Sequence, residues 1–201
     1  MDIDVAALSP RERYALLIAS ILPRPIAWVS TVNKAGVTNL APFSFFTGIT
    51  GNPMSLCFAP VNSRDGIVKD TLVNIRETGE FVVNVVTEDN VEKANLTSAT
   101  YPYGVSEFEK AGLTPVPSAQ VRPPRVKESP IHMECRVLQI VAVSDGALGG
   151  NLVIGQVVQF HADDPLLKDG AIPHERLKAV GRLEGAWYSK TREAFELVRP
   201  K

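Results

Sequence analysis

Leu22 to Phe46, LPRPIAWVSTVNKAGVTNLAPFSFF, decides the fold. Two apolar runs, Pro25 to Val32 and Val37 to Phe46, flank Asn33-Lys34-Ala35-Gly36, a short polar connection of the kind that closes a β-hairpin. They read as paired strands. The second run carries small and hydroxyl-bearing residues (Thr38, Asn39, Ala41, Ser44, with Thr47 just beyond) among bulky ones. Backbone amides there can approach a flat ligand while Phe43, Phe45 and Phe46 fill the wall behind, as suits an apolar pocket with a few placed polar groups. Periodicity leaves a second reading open, a core strand whose Ser and Thr face water.

Toward the N-terminus, Ser9-Pro10-Arg11-Glu12 has the form of a capping box with proline at the first helical position, which predicts a helix over about Pro10 to Ala19. Its apolar residues Tyr14, Leu17 and Ile18 recur at helical spacing, so it should lie on the β-domain or on a partner subunit. Beyond Phe46, Gly51-Asn52-Pro53 marks a break, and a strand is expected from Met54 to Ala59, ended by Pro60. A polar loop containing Arg64 leads to Lys69-Asp70-Thr71. A helix over Thr71 to Thr78 follows, with Asp70 as N-cap and Gly79 past its C-terminus; an earlier start capped by Asp65 stays open. Arg64, Lys69 and Thr71 thus gather near a helix N-terminus, where unpaired amides and the macrodipole favour an anion. The alternative is a capped surface helix with a basic flank.

Glu80 to Val86 is β-branched and short enough for a central strand, and Glu88 to Ser98 reads as a helix. Thr100 to Ala111 is a loop leading to a short helix, and Leu113 to Val121 is extended but confined to an edge or loop by Pro115 and Pro117. Ile131 to Val143 and Leu152 to Phe160 form the longest strand pair, joined by the glycine-rich Ser144 to Asn151; a short helix at Glu175 to Lys178 precedes the last segment, Val180 to Ser189. The expected fold class is mainly β, a barrel with peripheral helices.

The 201 residues suit one domain spanning the chain, with 45% hydrophobic and 21% charged residues. A formal net charge of −1 gives no attraction to nucleic acid or to anionic lipid, so no nucleic-acid or membrane partner is expected. No apolar stretch approaches the roughly 20 residues of a spanning helix. Cys57 and Cys135 lie in apolar strand-like runs outside any CxxC pair; they read as buried thiols, with a lone disulfide left open, and the absence of a secretory leader points to the cytoplasm. His132, His161 and His174 have no zinc-like spacing, so no metal is expected.

PRPIAWVST, NLAPFSFF, Lys69-Asp70-Thr71 with Asn74-Ile75, GVSEFEKAGLT (Gly104 to Thr114) and GRLEGAWY (Gly181 to Tyr188) together resemble the flavoredoxin branch of the flavin-reductase-like, FMN-binding split-barrel family. The resemblance runs from about residue 20 to about residue 190 and implies a split β-barrel, bound FMN and a homodimer with each flavin near the subunit boundary. It implies ring contacts from Ala27, Trp28, Val29 and Ser30 and from Asn39, Leu40, Ala41, Ser44, Phe45 and Phe46. By the same resemblance Lys69 and Thr71 would meet the phosphate, and Arg64 and Asp70, gathered at the same helix N-terminus, are counted with them as cofactor-binding. Trp28 reads equally as a wall of the site or as a half-buried strand residue.

FMN carries the reactive group itself, so the protein's share is position and electrostatics, and no catalytic nucleophile or acid–base pair is expected. No GxSxG, HExxH or Walker-type loop is present. An electron donor needs one open ring face, and Thr100 to Gly104 (with Tyr101 and Tyr103) and Asp163 to Gly185 (with Arg182, and Tyr188 just beyond) are the natural cover. Arg182 can equally pair with a surface carboxylate. Family reductases often have a histidine near the GR motif, and Gly181-Arg182-Leu183-Glu184-Gly185 has none. Two readings follow: an NAD(P)H-dependent FMN oxidoreductase, or a flavoredoxin-like carrier that holds FMN tightly and exchanges electrons with a redox partner protein.

Overall fold

A computed structural model describes residues 1–200. The Ser9 capping box forms as read, with Ser9 and Glu12 bonded reciprocally, and opens helix α1 (Pro10–Ser20). Strands β1 (Ala27–Val32) and β2 (Thr38–Phe43) pair in antiparallel register from Ala27 opposite Phe43 to Val32 opposite Thr38. The turn between them is fixed by Asn33, whose Oδ1 accepts the N–H groups of Ala35 and Val37 at 2.9 Å.

The second apolar run is not one strand. It breaks after Phe43, and Phe46–Gly51 forms a separate strand, β3, which pairs with β4 (Met54–Phe58) and not with β1. At this corner the Phe45 carbonyl accepts the N–H of Ala59 at 2.8 Å, tying the departing chain to the end of β4. With β5 (Glu80–Val85), β8 (Ile131–Ala142) and β9 (Asn151–Ala162), these strands make one seven-stranded antiparallel sheet in the order β2-β1-β5-β8-β9-β4-β3. The sheet is rolled. Ala27 and Val29 of β1, Phe43 of β2, Phe58 of β4, Phe81 of β5, Cys135 of β8 and Val153 of β9 meet in one core, closed by Leu72 and Ile75 of helix α2 (Asp70–Thr78).

A second core covers the outer face of β1 and β5. Ile26, Trp28, Leu40 and Val86 pack there against α3 (Val91–Leu96), α4 (Glu107–Lys110), Val126 and Val180. Every residue of β1 is therefore buried. The expected helix over Glu88 to Ser98 is shorter because Asn90 turns its side chain back to the Thr87 N–H (2.8 Å) and becomes the N-cap of α3. The proline-rich stretch holds only the two-residue strands β6 (Pro115–Val116) and β7 (Arg125–Val126). After the short helix α5 (His174–Leu177), β10 (Val180–Arg182) and β11 (Tyr188–Lys190) form a separate hairpin. Cys57 and Cys135 are free thiols, half-buried and buried, so the disulfide left open in the sequence does not form. No helix among the described residues is long and apolar enough to cross a membrane.

Candidate functional site

Helix α2 starts one residue before the expected position. Lys69 is its N-cap, in extended backbone and without a side-chain cap, and Asp70 is the first helical residue. The expected Asp70 cap is thus replaced by an end whose first amides have no side-chain acceptor, the condition under which a helix N-terminus receives an anion. At the other end Gly79 adopts φ 70° and its N–H closes on the Ile75 carbonyl, as predicted.

A cavity of about 440 Å³ opens at this N-terminus. Asn39 and Ala41 of the edge strand β2 form one wall, Lys69, Asp70 and Thr71 another, and Thr97 to Tyr101 with Tyr103 and Glu107 a third. Seven residues expected at the site are therefore brought together: Asn39, Ala41, Lys69, Asp70, Thr71, Tyr101 and Tyr103. A buried polar network stiffens the walls. Asn39 Nδ2 donates to Thr71 Oγ1 (2.9 Å) and Thr31 Oγ1 (3.2 Å), Asn74 Nδ2 donates to the same Thr31 oxygen (3.0 Å), and the Tyr103 hydroxyl donates to Asn74 Oδ1 (3.2 Å). Thr71 is almost wholly buried and accepts from Asn39, yet among the described residues its own hydroxyl proton has no acceptor. A donor left over at an uncapped helix N-terminus beside an ammonium fits a phosphate.

The remaining expected residues lie elsewhere. Ala27 and Val29 face the barrel core; Trp28 faces the second core and donates Nε1–H to Thr97 Oγ1 at 2.9 Å. Ser30 donates to the Pro124 carbonyl at 2.5 Å. The reason is topological: β1 has β2 and β5 on its two edges and packed layers on both faces, so its side chains do not line the cavity. Leu40 turns into the second core while its N–H is accepted by Glu107 Oε2 at 2.9 Å. Ser44 receives a hydrogen bond from Arg24. Phe45 meets Tyr14 edge-on at 6.0 Å beside a separate cavity of about 590 Å³, and Phe46 borders an apolar groove along β3 and β4. Arg64 is exposed on a turn outside the cavity. Arg182 stacks over the Tyr188 ring at 4.4 Å on the β10–β11 hairpin, also outside the cavity lining. The Tyr188 hydroxyl reaches Asn95 Oδ1 (3.2 Å) on α3, the helix that feeds Thr97 to Tyr101 into the cavity wall.

Sequence reading missed Glu107 and the wall from Thr97 to Ala99, while the expected cover segment beginning at Thr100 does line the cavity. The only local signal for Glu107 is an acid at the start of a short helix, which is commonplace; its role arises from packing of α4 on β2. Burial pushes the Glu107 carboxyl pKa up, partly offset by the Leu40 N–H and reinforced by Asp70. Burial likewise raises that of Asp70, with Lys69 opposing. The cavity thus offers an ammonium and open amides together with two carboxyls whose pKa values are raised by burial. Of the histidines, His132 is buried and bonded to the Val126 carbonyl, His161 is paired with Glu134 at 2.7 Å, and His174 sits exposed beside Glu175.

Residues 19–176 match the Flavin reductase like domain. An uncharacterized protein of Halalkalibacterium halodurans is 45% identical over 204 residues, covering 100% of this chain and 97% of the relative. Nitrilotriacetate monooxygenase component B from Bacillus cereus is 39% identical with a TM-score of 0.92, over 98% of each chain. Flavoredoxin of Desulfovibrio vulgaris (Miyazaki F), at 19% identity, shares the fold with a TM-score of 0.74 over 98% of this chain and 97% of its own. The rolled sheet is the split barrel of these proteins, and the chain belongs to the flavin reductase like family.

Proposed function

We propose that the protein is an NAD(P)H-dependent oxidoreductase of FMN. The observation that carries this reading is the cavity at the α2 N-terminus, with Lys69, the uncapped amides and the spare Thr71 proton at one end and Asn39 and Ala41 of an edge strand along its wall. When bound, FMN supplies the hydride and electron chemistry through its isoalloxazine. The chain's own residues hold and orient it. Lys69, Thr71 and the first α2 amides would grip the phosphate, β2 would face the ring, and the Tyr101–Tyr103 segment would exclude water from it. The resemblance to a monooxygenase component supports a role in supplying electrons to a second protein. The free thiols accord with a cytoplasmic setting.

One observation favours the second reading, a flavoredoxin-like carrier. His132 and His161 are tied to Val126 and Glu134, and His174 to Glu175, so none is bonded to the Arg182 hairpin to orient a nicotinamide. Anaerobic mixing of the FMN-loaded protein with NADH and with NADPH separates the two. Rapid loss of the flavin's visible absorption with either nucleotide is expected; no bleaching by either, with reduction by dithionite intact, would establish the carrier instead.

A further inference from the structure

Arg24 is 3% exposed, yet among the described residues no carboxylate is one of its hydrogen-bond partners. Its guanidinium donates to the Ile18 carbonyl, to the Ile21 carbonyl (3.2 Å), to Ser44 Oγ (3.2 Å) and to the Leu183 carbonyl (2.8 Å). The charge is met by the C-terminal carbonyls of α1, where the helix macrodipole is negative, and by one carbonyl from the far end of the chain. Glu184 favours the charge only from beyond ion-pair distance, and removing a guanidinium from water without a paired carboxylate is costly, so a mere anchor for α1 does not account for it. What the arrangement secures is a junction. Residues 18–21, Ser44 and Leu183 meet on one planar fork, a geometry that the single ammonium of lysine does not reproduce.

The backbone at Arg24 engages the same hairpin independently. Its N–H donates to the Arg182 carbonyl (3.0 Å) and its carbonyl accepts the Arg182 N–H (2.8 Å). Gly181 is pressed so closely here that an added Cβ would lie 2.8 Å from Pro23 Cβ and 2.9 Å from Ser189 Oγ. The β10–β11 hairpin, which carries the Arg182–Tyr188 stack and touches α3 through Asn95, is thus fastened along residues 23–24. We propose that Arg24 is a positioning residue that locks this hairpin beside the cofactor site and thereby sets the affinity for the electron donor. The donor half rests on the pyridine-nucleotide reading above.

Two variants test it from opposite sides. Arg24→Lys keeps the charge and loses the fork, while Gly181→Ala wedges the hairpin from Pro23 without touching the guanidinium. In FMN-loaded protein both should speed amide exchange across residues 181–190 and raise the half-saturating NAD(P)H concentration about tenfold, with the limiting reduction rate and the FMN dissociation constant changed less than about threefold. Unchanged exchange in a folded variant overturns the lock; faster exchange with unchanged half-saturation overturns its role toward the donor. If Arg24→Lys does not fold, Gly181→Ala carries both readouts. Failure of either nucleotide to reduce the wild-type protein contradicts the proposed function and the donor half together, whereas a reducible wild type with unaltered variants contradicts this proposal alone.

Discussion

In the proposed phosphate seat Thr71 and Lys69 have different parts. Thr71 accepts from Asn39 and, among the described residues, has its own proton free for a ligand, and Lys69, another lining residue, would contribute charge. A phosphate bonded to an ammonium is held about twice as strongly as by a neutral donor. Lys69→Ala is therefore expected to raise the FMN dissociation constant roughly tenfold, about 1.4 kcal/mol, while leaving riboflavin binding unchanged. Thr71→Val should weaken FMN as well and, by taking a partner from Asn39, also lower the unfolding midpoint. Fluorescence titration of both flavins beside a denaturant curve for each variant checks this; an equal loss for riboflavin would show that the residues shape the cavity without gripping a phosphate.

Among the elements, those with local punctuation were legible. The Ser9 box, the Asn33 turn, the Gly79 stop and the long β8–β9 pair stand within a residue or two of where the residues place them. The break between β2 and β3 was not, because Ser44-Phe45 contains neither glycine nor proline and the apolar run continues through it; the turn is set by tertiary partners, Phe58 of β4 opposite Phe46 and the Ala59 N–H on the Phe45 carbonyl. Trp28 was ambiguous for a related reason. Alternation cannot say which face of a strand meets a ligand when both faces are buried. Glu107 was invisible because only the tertiary approach of α4 brings it to Leu40.

Two carboxylates, Glu134 and Glu88, each bind an outlying segment to the sheet domain. Fully buried Glu134 on β8 accepts the N–H groups of Ala119 (2.8 Å) and Gln120 (2.6 Å), pinning the proline-rich strap, and pairs with His161. Burial alone would raise its pKa, but these donors together hold it below the ordinary value. Glu134→Gln leaves one strap amide without an acceptor and should cost about 1–3 kcal/mol in chemical denaturation; a change within error would show that the strap is held by its other contacts, among them Ser30 to the Pro124 carbonyl and Arg122 to Glu80. Glu88 receives Arg192 and Lys190, which hold its pKa down to about 2 from 4.5, the Arg192 hydrogen bonds being the chief cause. Because the folded value is depressed, this clasp contributes fully above pH 4.5 and is lost as pH falls toward 2. Amide exchange at residues 188–192 should accelerate through that window in the wild type and be pH-insensitive, beyond the intrinsic rate, in Glu88→Gln.

For the whole molecule, the distribution of apolar surface is uneven. No residue of α1 is buried, Leu16, Leu17, Ile21 and Leu22 are exposed at its C-terminal end, and Ile49 and Met54 stand out from the β3–β4 hairpin. Patches of this kind on an otherwise ordinary surface mark a protein interface. A two-fold homodimer is expected, with light scattering at micromolar concentration giving twice the chain mass; a strictly monomeric mass with FMN bound would contradict it.

The cavity at the α2 N-terminus, read as a seat for a phosphate-bearing flavin, underlies the whole account, and a side-by-side titration of the wild-type protein with FMN and riboflavin tests it most directly. The expected result is one FMN per chain, bound at least about tenfold tighter than riboflavin, the difference of about 1.4 kcal/mol being the phosphate's share. Equal affinity for the two flavins would contradict the account.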